Sequence, residues 1–151
     1  MADNRSRESR SWNMSRIPSK DTKIEVQVRK YLFHKGFRYR KNVRKLPGCP
    51  DIVLPKYRSV IFVNGCYWHR HPFCKIATMP KTNTEFWQQK FDRNVARDRK
   101  HYAELESAGW NVIVIWGCEV QKNFEINMQR VVRELEENYI EIATLRGSQR
   151  R

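Results

Sequence analysis

The sequence predicts a single α/β domain built on a mixed central sheet flanked by helices, and three features carry that prediction. The apolar runs Ile52–Leu54 and 60–63 are separated only by Pro55, Lys56, Tyr57, Arg58 and Ser59, too few residues for a crossover helix, so they read as a hairpin. Residues 110–116 form an almost unbroken apolar run, the pattern of a strand covered on both faces. Between these lies a long helical segment, from a capping box at Thr82 and Glu85 to about Ala108, with Gly109 as its stop. Phe91, Val95, Tyr102 and Leu105 mark its buried side. Strand, helix, strand implies a parallel pair joined by a right-handed crossover, so antiparallel and parallel pairing meet in one sheet.

The remaining elements follow from local chemistry. Asp21 or Thr22 can cap a helix running to about His34, with Ile24, Val28, Tyr31 and Leu32 as its apolar stripe and Gly36 at its end. Phe37, Tyr39 and Val43 alternate with Arg38, Arg40 and Arg44, a strand-like pattern with a basic outer face. After Cys118 a helix is expected over about 124–145, with Ile126, Val131, Leu135, Tyr139 and Ile142 on one face. The domain spans 19–145, between a flexible, Arg/Ser-rich segment over 1–18 and a frayed tail over 146–151.

Charge narrows the partner. Lys and Arg number 30 against 16 Asp and Glu, a formal net charge of +14 over 151 residues, which points to a polyanion, nucleic acid foremost. No apolar run approaches the roughly 20 residues of a membrane span, and the polar start is unlike a signal peptide, so a cytoplasmic chain is expected. Five Trp and seven Phe argue for a packed core over a disordered basic tail.

Two groups of residues point to chemistry. If Leu54 pairs near Ser59, Asp51 comes opposite Phe62 and Val63, beside the Asn64-Gly65 opening and close to two imidazoles. A carboxylate at such an edge can hold a hard divalent metal, or simply follow its Pro turn and face water. The other group is the cysteines: free thiols without a secretory signal favour metal over disulfide. Cys66, His71 and Cys74 fall within nine residues, and the parallel crossover brings Cys118 to the same sheet edge as Cys66. These four make a closed set suited to structural zinc, with His69 able to replace His71 by reach alone. Cys49 is left without a role, and His34 and His101 read as ordinary surface residues.

Leu46-Pro-Gly-x-Pro-Asp51 followed by Phe62-Val-Asn-Gly-Cys-Tyr-Trp-His69 resembles the very short patch repair (Vsr) endonucleases, which nick DNA beside T:G mismatches. Asn13-Met14 with Thr22 and Glu25, then Glu85-Phe-Trp87, Asn94 with Arg97-Asp98, and Gly109-Trp110 leading to Ile115-Trp116 extend the match over roughly residues 12–120. The resemblance implies a fold like that of type II restriction endonucleases. It also implies Mg2+ held by Asp51 and the Val63 carbonyl, water ordered by Glu25, and proton transfer by His69. His71 becomes the zinc ligand. Tyr67, Trp68 and Trp87 match three rings that enter the DNA stack, Lys90 and Asn94 match positions that read the mispair, and Met14 matches a minor-groove contact backed by Arg5, Arg7, Arg10 and Arg16. Without it, Glu25 is an i,i+4 partner of Arg29, Phe86 is core, and Lys90 and Asn94 are helix-surface residues. The chain would act as a monomer on duplex DNA, with mismatch-repair proteins as further partners.

One departure matters. The family pattern has Thr-His where this chain has Val63-Asn64, and an amide cannot carry a proton near neutral pH. That leaves His69 as the imidazole for proton transfer and Asn64 as a positioning contact. Two other functions fit the same residues: a restriction or nicking enzyme acting on a fully paired site, against which the absence of an acidic-x-Lys signature on the second strand counts, and a non-catalytic, zinc-stabilised DNA-binding protein.

Overall fold

The computed structural model describes residues 22–149, which run α1 (Lys23–His34), β1 (Arg40–Lys41), β2 (Ile52–Leu54), a 3-10 turn (Pro55–Tyr57), β3 (Ser59–Asn64), α2 (Thr84–Ser107), β4 (Asn111–Trp116), α3 (Gly117–Lys122) and α4 (Phe124–Gln149). The hairpin forms as its spacing requires: β2 and β3 are antiparallel, with Leu54 opposite Ser59 and Ile52 opposite Ile61. Arg58 turns the chain in the left-handed region at φ 47°, stacks on the Trp110 ring at 4.4 Å and donates to the Ala108 carbonyl at the end of α2. β4 then runs parallel to β3, in register from Ser59–Asn111 to Asn64–Trp116, giving the mixed order β1-β2-β3-β4.

Alternation along the strands splits the core between the two faces. Ile52, Leu54, Ile61, Val63, Ile113 and Ile115 meet Val28 and Leu32 of α1 and Met128, Val131 and Leu135 of α4. On the other face Val53, Val60 and Phe62 meet Leu105 of α2, with Val43, Leu46, Tyr102, Trp110 and Val112 around them. β3 is central and all six of its residues are buried, whereas only Ile113 and Ile115 are buried on β4, an edge strand of this sheet. The apolar run at 110–116 therefore overstated how fully that strand is covered.

Other expectations are corrected by tertiary context. The capping box at Thr82 and Glu85 does not form: α2 starts at Thr84, after Asn83 in the left-handed conformation at φ 51° with no side-chain cap bond. The alternation over 37–44 yields only the two-residue strand Arg40–Lys41, because Asn42 at φ 48° leaves the extended conformation, although the Asn42 and Val43 N–H groups still reach the Asp51 and Pro50 carbonyls. Thr22, not the undescribed Asp21, caps α1, accepting from the Glu25 N–H at 3.3 Å. On α4, Met128 takes the buried place while Ile126 is 70% exposed; five residues before Val131, Ile126 points well away from the stripe that Val131 and Leu135 define. Tyr139, expected on that stripe, is also exposed, and its ring lies 5.4 Å from Tyr57. The short α3 was not anticipated, and α4 continues to Gln149. No helix among the described residues is long and apolar enough to cross a membrane. Leu135→Ala should lower stability by about 2–5 kcal/mol, and Ile126→Ala should change it by no more than about 0.5 kcal/mol, as read from urea denaturation.

Candidate active site and metal centre

Register builds the site. With Ile52 opposite Ile61, Asp51 falls beside Phe62 and Val63, and its Oδ2 accepts from the Val63 N–H at 2.7 Å. On its other side the Asn42 N–H donates to the Asp51 carbonyl at 3.1 Å. Asp51 is thereby fixed by its neighbours on both sides at the edge where β3 ends. A cleft of about 970 Å³ opens there, lined by Glu25, Asp51, Val63, Asn64, Trp68 and His69 together with Lys41, Asn42, Arg44, Gly48, Cys49, Asp98 and His101. All five residues assigned a catalytic role from sequence thus share one cavity.

Electrostatics in the cleft favour a cation. Burial pushes the Asp51 carboxyl up to about 6, the Glu25 charge adds to that, and the Val63 N–H, His69 and Arg29 oppose it. Glu25 is buried and lies 3.6 Å from Arg29 on its own helix, so the i,i+4 pair exists and the carboxylate still faces the cleft. Two carboxylates facing one hollow, one held back from ionising, form a donor set that a hard divalent ion would relieve. His69 Nδ1 lies 2.7 Å from Asp98 Oδ2, which orients the ring and leaves Nε2 outside that contact. Asn64 is buried and donates to the Tyr102 hydroxyl at 2.8 Å.

Beyond the ends of β3 and β4 the cysteines meet. Because Asn64 and Trp116 are paired, Cys66 and Cys118 leave adjacent strands at one edge. Ligand atoms of Cys66, His71, Cys74 and Cys118 all lie within 4.8 Å of one another, with His71 Nδ1 3.6 Å from Cys66 Sγ and 3.4 Å from Cys118 Sγ. The His71 ring stacks on Trp116 at 4.3 Å, which leaves His69 free for the cleft. Burial pushes the Cys118 thiol up to about 12, helped by Cys66 and Cys74, whereas a backbone bond at Ile76 lowers Cys74. Three crowded sulfurs cannot all ionise unaided, and a tetrahedral cation would let them.

The aromatic residues surround Phe91. Its ring centroid is 5.3 Å from Tyr67, 6.3 Å from Trp68 and 5.8 Å from Trp87. Lys90 Nζ sits 5.4 Å from both Trp68 and Trp87, and Asn94 donates to the Trp68 carbonyl at 3.2 Å. Trp68 also lines the cleft, so aromatic cluster and carboxylates are contiguous. Phe86 is 54% exposed and is not core, since the first turn of α2 projects past the sheet. Met14, Arg5, Arg7, Arg10 and Arg16 lie outside the described residues.

Asp98 and His101 were not assigned roles from sequence. Asn94, Asp98, His101 and Leu105 follow one another at spacings of four, three and four, so polar residues standing on an inward stripe of α2 were the available signal. His101, read as an ordinary surface residue, is half-buried against Gly48. Cys49, given no role, lines the cleft at φ 48°.

A family model for DNA mismatch endonuclease Vsr matches residues 2–75. DNA mismatch endonuclease Vsr of Escherichia coli (strain K12) is 39% identical over 137 residues, covering 91% of this chain and 87% of that protein. The chain belongs to the Vsr family. Type II nicking enzyme V.NmeAIP of Neisseria meningitidis is 50% identical over 131 residues, 85% of this chain and 92% of that protein. Type II nicking enzyme V.XorIIP of Xanthomonas oryzae pv. oryzae is 43% identical over 120 residues, 80% of this chain and 88% of that protein. As a Vsr-family member the chain is a strand-nicking endonuclease, and the cleft at Asp51 is where its fold gathers carboxylates and imidazoles.

The raised Asp51 sets a pH-dependent stability. Folded Asp51 keeps its proton to about pH 6 against an ordinary value of 3.8, so stability falls as pH rises through that window. Above it the buried charge costs roughly 3 kcal/mol, less whatever an added cation returns. Asp51→Asn keeps an acceptor for the Val63 N–H and should raise the thermal midpoint at pH 8, without added divalent ions, but not near pH 3.5. An unchanged midpoint at pH 8 would contradict a strained carboxylate.

Proposed function

We propose that this Vsr-family endonuclease nicks one strand of duplex DNA beside a T:G mismatch, as a monomer and with Mg2+. The observation that carries the reading is the continuity of the cleft: Asp51 held on the Val63 N–H, the His69–Asp98 pair and the Trp68 ring share one hollow. In the reaction, Asp51 and the Val63 carbonyl would hold the Mg2+, which when bound neutralises charge developing on the phosphate. Glu25 orders the attacking water. His69 takes its proton through Nε2, while Nδ1 donates to Asp98, which stabilises the imidazolium that forms. Asn64 stays a positioning contact, since its amide is committed to Tyr102.

Selectivity is assigned to the aromatic cluster. Tyr67, Trp68 and Trp87 present ring faces and edges beside the cleft, and Lys90 adds charge over two of them. A wedge unstacks bases at a cost of a few kcal/mol, less at a mispair, which turns a weak pair into a preferred site. A second reading, nicking at a fully paired site, draws on relatives named type II nicking enzymes, a name that states nicking without stating a mismatch. Mismatch-repair proteins would act on the nick.

Trp68→Ala should lower the preference for T:G over T:A duplexes by about tenfold or more while leaving salt-dependent binding in place, because the wedge and not the charge discriminates. Nicking rates on T:G and fully paired duplexes in varied flanking contexts, with and without Mg2+, check this. Equal rates on paired and mispaired DNA by the wild type would move the assignment to the second reading.

Zn2+ is the ion proposed for Cys66, His71, Cys74 and Cys118, as a fold-holding and not a catalytic metal. Metal analysis should find about one zinc per chain, lost in Cys118→Ser together with several kcal/mol of stability, while Cys49→Ser keeps both. A folded wild type without zinc would refute this assignment.

A further inference from the structure

A second imidazole stands in the cleft, unused by the reaction above. His101 lines the same wall system as Asp51, Asn64, His69 and Asp98. It follows Asp98 by three residues on α2, so both side chains leave one helix face with Cβ atoms about 5–6 Å apart. Its ring is seated on a turn that only glycine permits. A Cβ added at Gly48 would lie 3.0 Å from His101 Cβ and Nδ1 and 3.1 Å from Cγ, at a backbone φ of 74°. Gly48 precedes Asp51 by three residues, so the ring is locked to the segment that carries the carboxylate. With Nδ1 against that turn, Nε2 is the nitrogen directed away from it. Among the other imidazoles, His34 is exposed on α1 and His71 belongs to the cysteine cluster.

Hydrolysis of a phosphodiester moves two protons, one off the attacking water and one onto the departing oxygen. In-line displacement puts those oxygens on opposite sides of phosphorus, so the two proton-transfer groups stand roughly 8–10 Å apart once a hydrogen bond is allowed at each end. His69 meets α2 at Asp98, 2.7 Å from its carboxylate, and His101 stands about one helical turn further along the same helix, lining the same cleft. Asn64 cannot supply the second proton, since an amide does not titrate in this range.

We propose that His101 is the leaving-group acid, a role that rests on the nicking reaction assigned to this cleft. Water loses a proton to His69 Nε2 as its oxygen bonds to phosphorus. The bond from phosphorus to the bridging oxygen breaks, its electron pair stays on that oxygen, and the proton on His101 Nε2 moves to it. Solvent then takes the proton from His69 and returns one to His101. No oxidant, reductant or co-reactant other than water is consumed. A residue that merely packed the 46–49 turn onto α2 would not discriminate between leaving atoms, which makes the leaving atom the decisive variable.

The test compares the mismatched duplex that the wild type nicks fastest with the same duplex bearing sulfur in place of one bridging oxygen, at the 3′ and, separately, the 5′ position of the nicked linkage. Thiolate departs without a proton, so an acid is needed for oxygen and not for sulfur. His101→Ala should slow the oxygen linkage by about 10² to 10⁴-fold relative to wild type and slow the linkage with departing sulfur by less than about tenfold. His101→Gln, which refills the space beside Gly48 but has no proton acidic enough to transfer, should behave like His101→Ala, and it stands in if the alanine variant melts below assay temperature. Loss of the same size on oxygen and sulfur linkages, or wild-type rates for His101→Gln on oxygen, would overturn the proposal. Asp51→Ala serves as the control for the underlying reading: it should be inactive on every linkage, and its activity would overturn the cleft assignment itself and not only the role of His101.

Discussion

The cleft at Asp51 depends on one hydrogen bond across the hairpin, from the Val63 N–H to Asp51 Oδ2 at 2.7 Å. It exists because Leu54 pairs with Ser59, and a one-residue slip would turn Asp51 to the opposite face and dissolve the site. The bond partly offsets the burial of a carboxylate that would otherwise be costlier still. The fold therefore carries an unfavourable charge in the cleft, a local cost supported by the apolar strands on either side.

β3 serves both sites at once. Its antiparallel edge with β2 delivers Asp51, and its parallel edge with β4 delivers Cys118 to Cys66 through the pairing of Asn64 with Trp116. The two sites are separated by His69 and His71, two residues apart on one loop, and their neighbours sort them. Asp98 draws His69 toward the cleft, and Trp116 stacks His71 against the cysteines. Metal held by the cysteine cluster would stiffen the loop that also carries Tyr67 and Trp68, coupling the stability of that site to the placement of those rings.

Helix α2 joins the aromatic cluster to the cleft along a single face. Trp87, Lys90 and Asn94 attend the aromatic cluster, and Asp98, His101 and Tyr102 attend the cleft, with Leu105 anchoring the far end in the core. A rigid helix fixes the distance between where bases would be opened and where the strand would be cut.

The sequence by itself determined the hairpin, the parallel crossover, the cysteine set and the place of Asp51, since each follows from short-range spacing or from strand direction. Leu54 and Ser59, with four residues between them, have little choice of partner, and parallel strands must end at one edge. Tertiary structure alone decided what depends on side chains far apart in sequence. His69 could reach either site until Asp98 and Trp116 were in position, and His101 looked like solvent-facing helix until the 46–49 turn folded over it. Ile126 and Phe86, apolar in sequence, are exposed because no described element covers them, whereas Met128 is buried in the core cluster with Val28 of α1 and Ile113 of β4. Local pattern sets which residues can face inward; only the packed neighbours set which of them do, because burial is a property of the surface opposite.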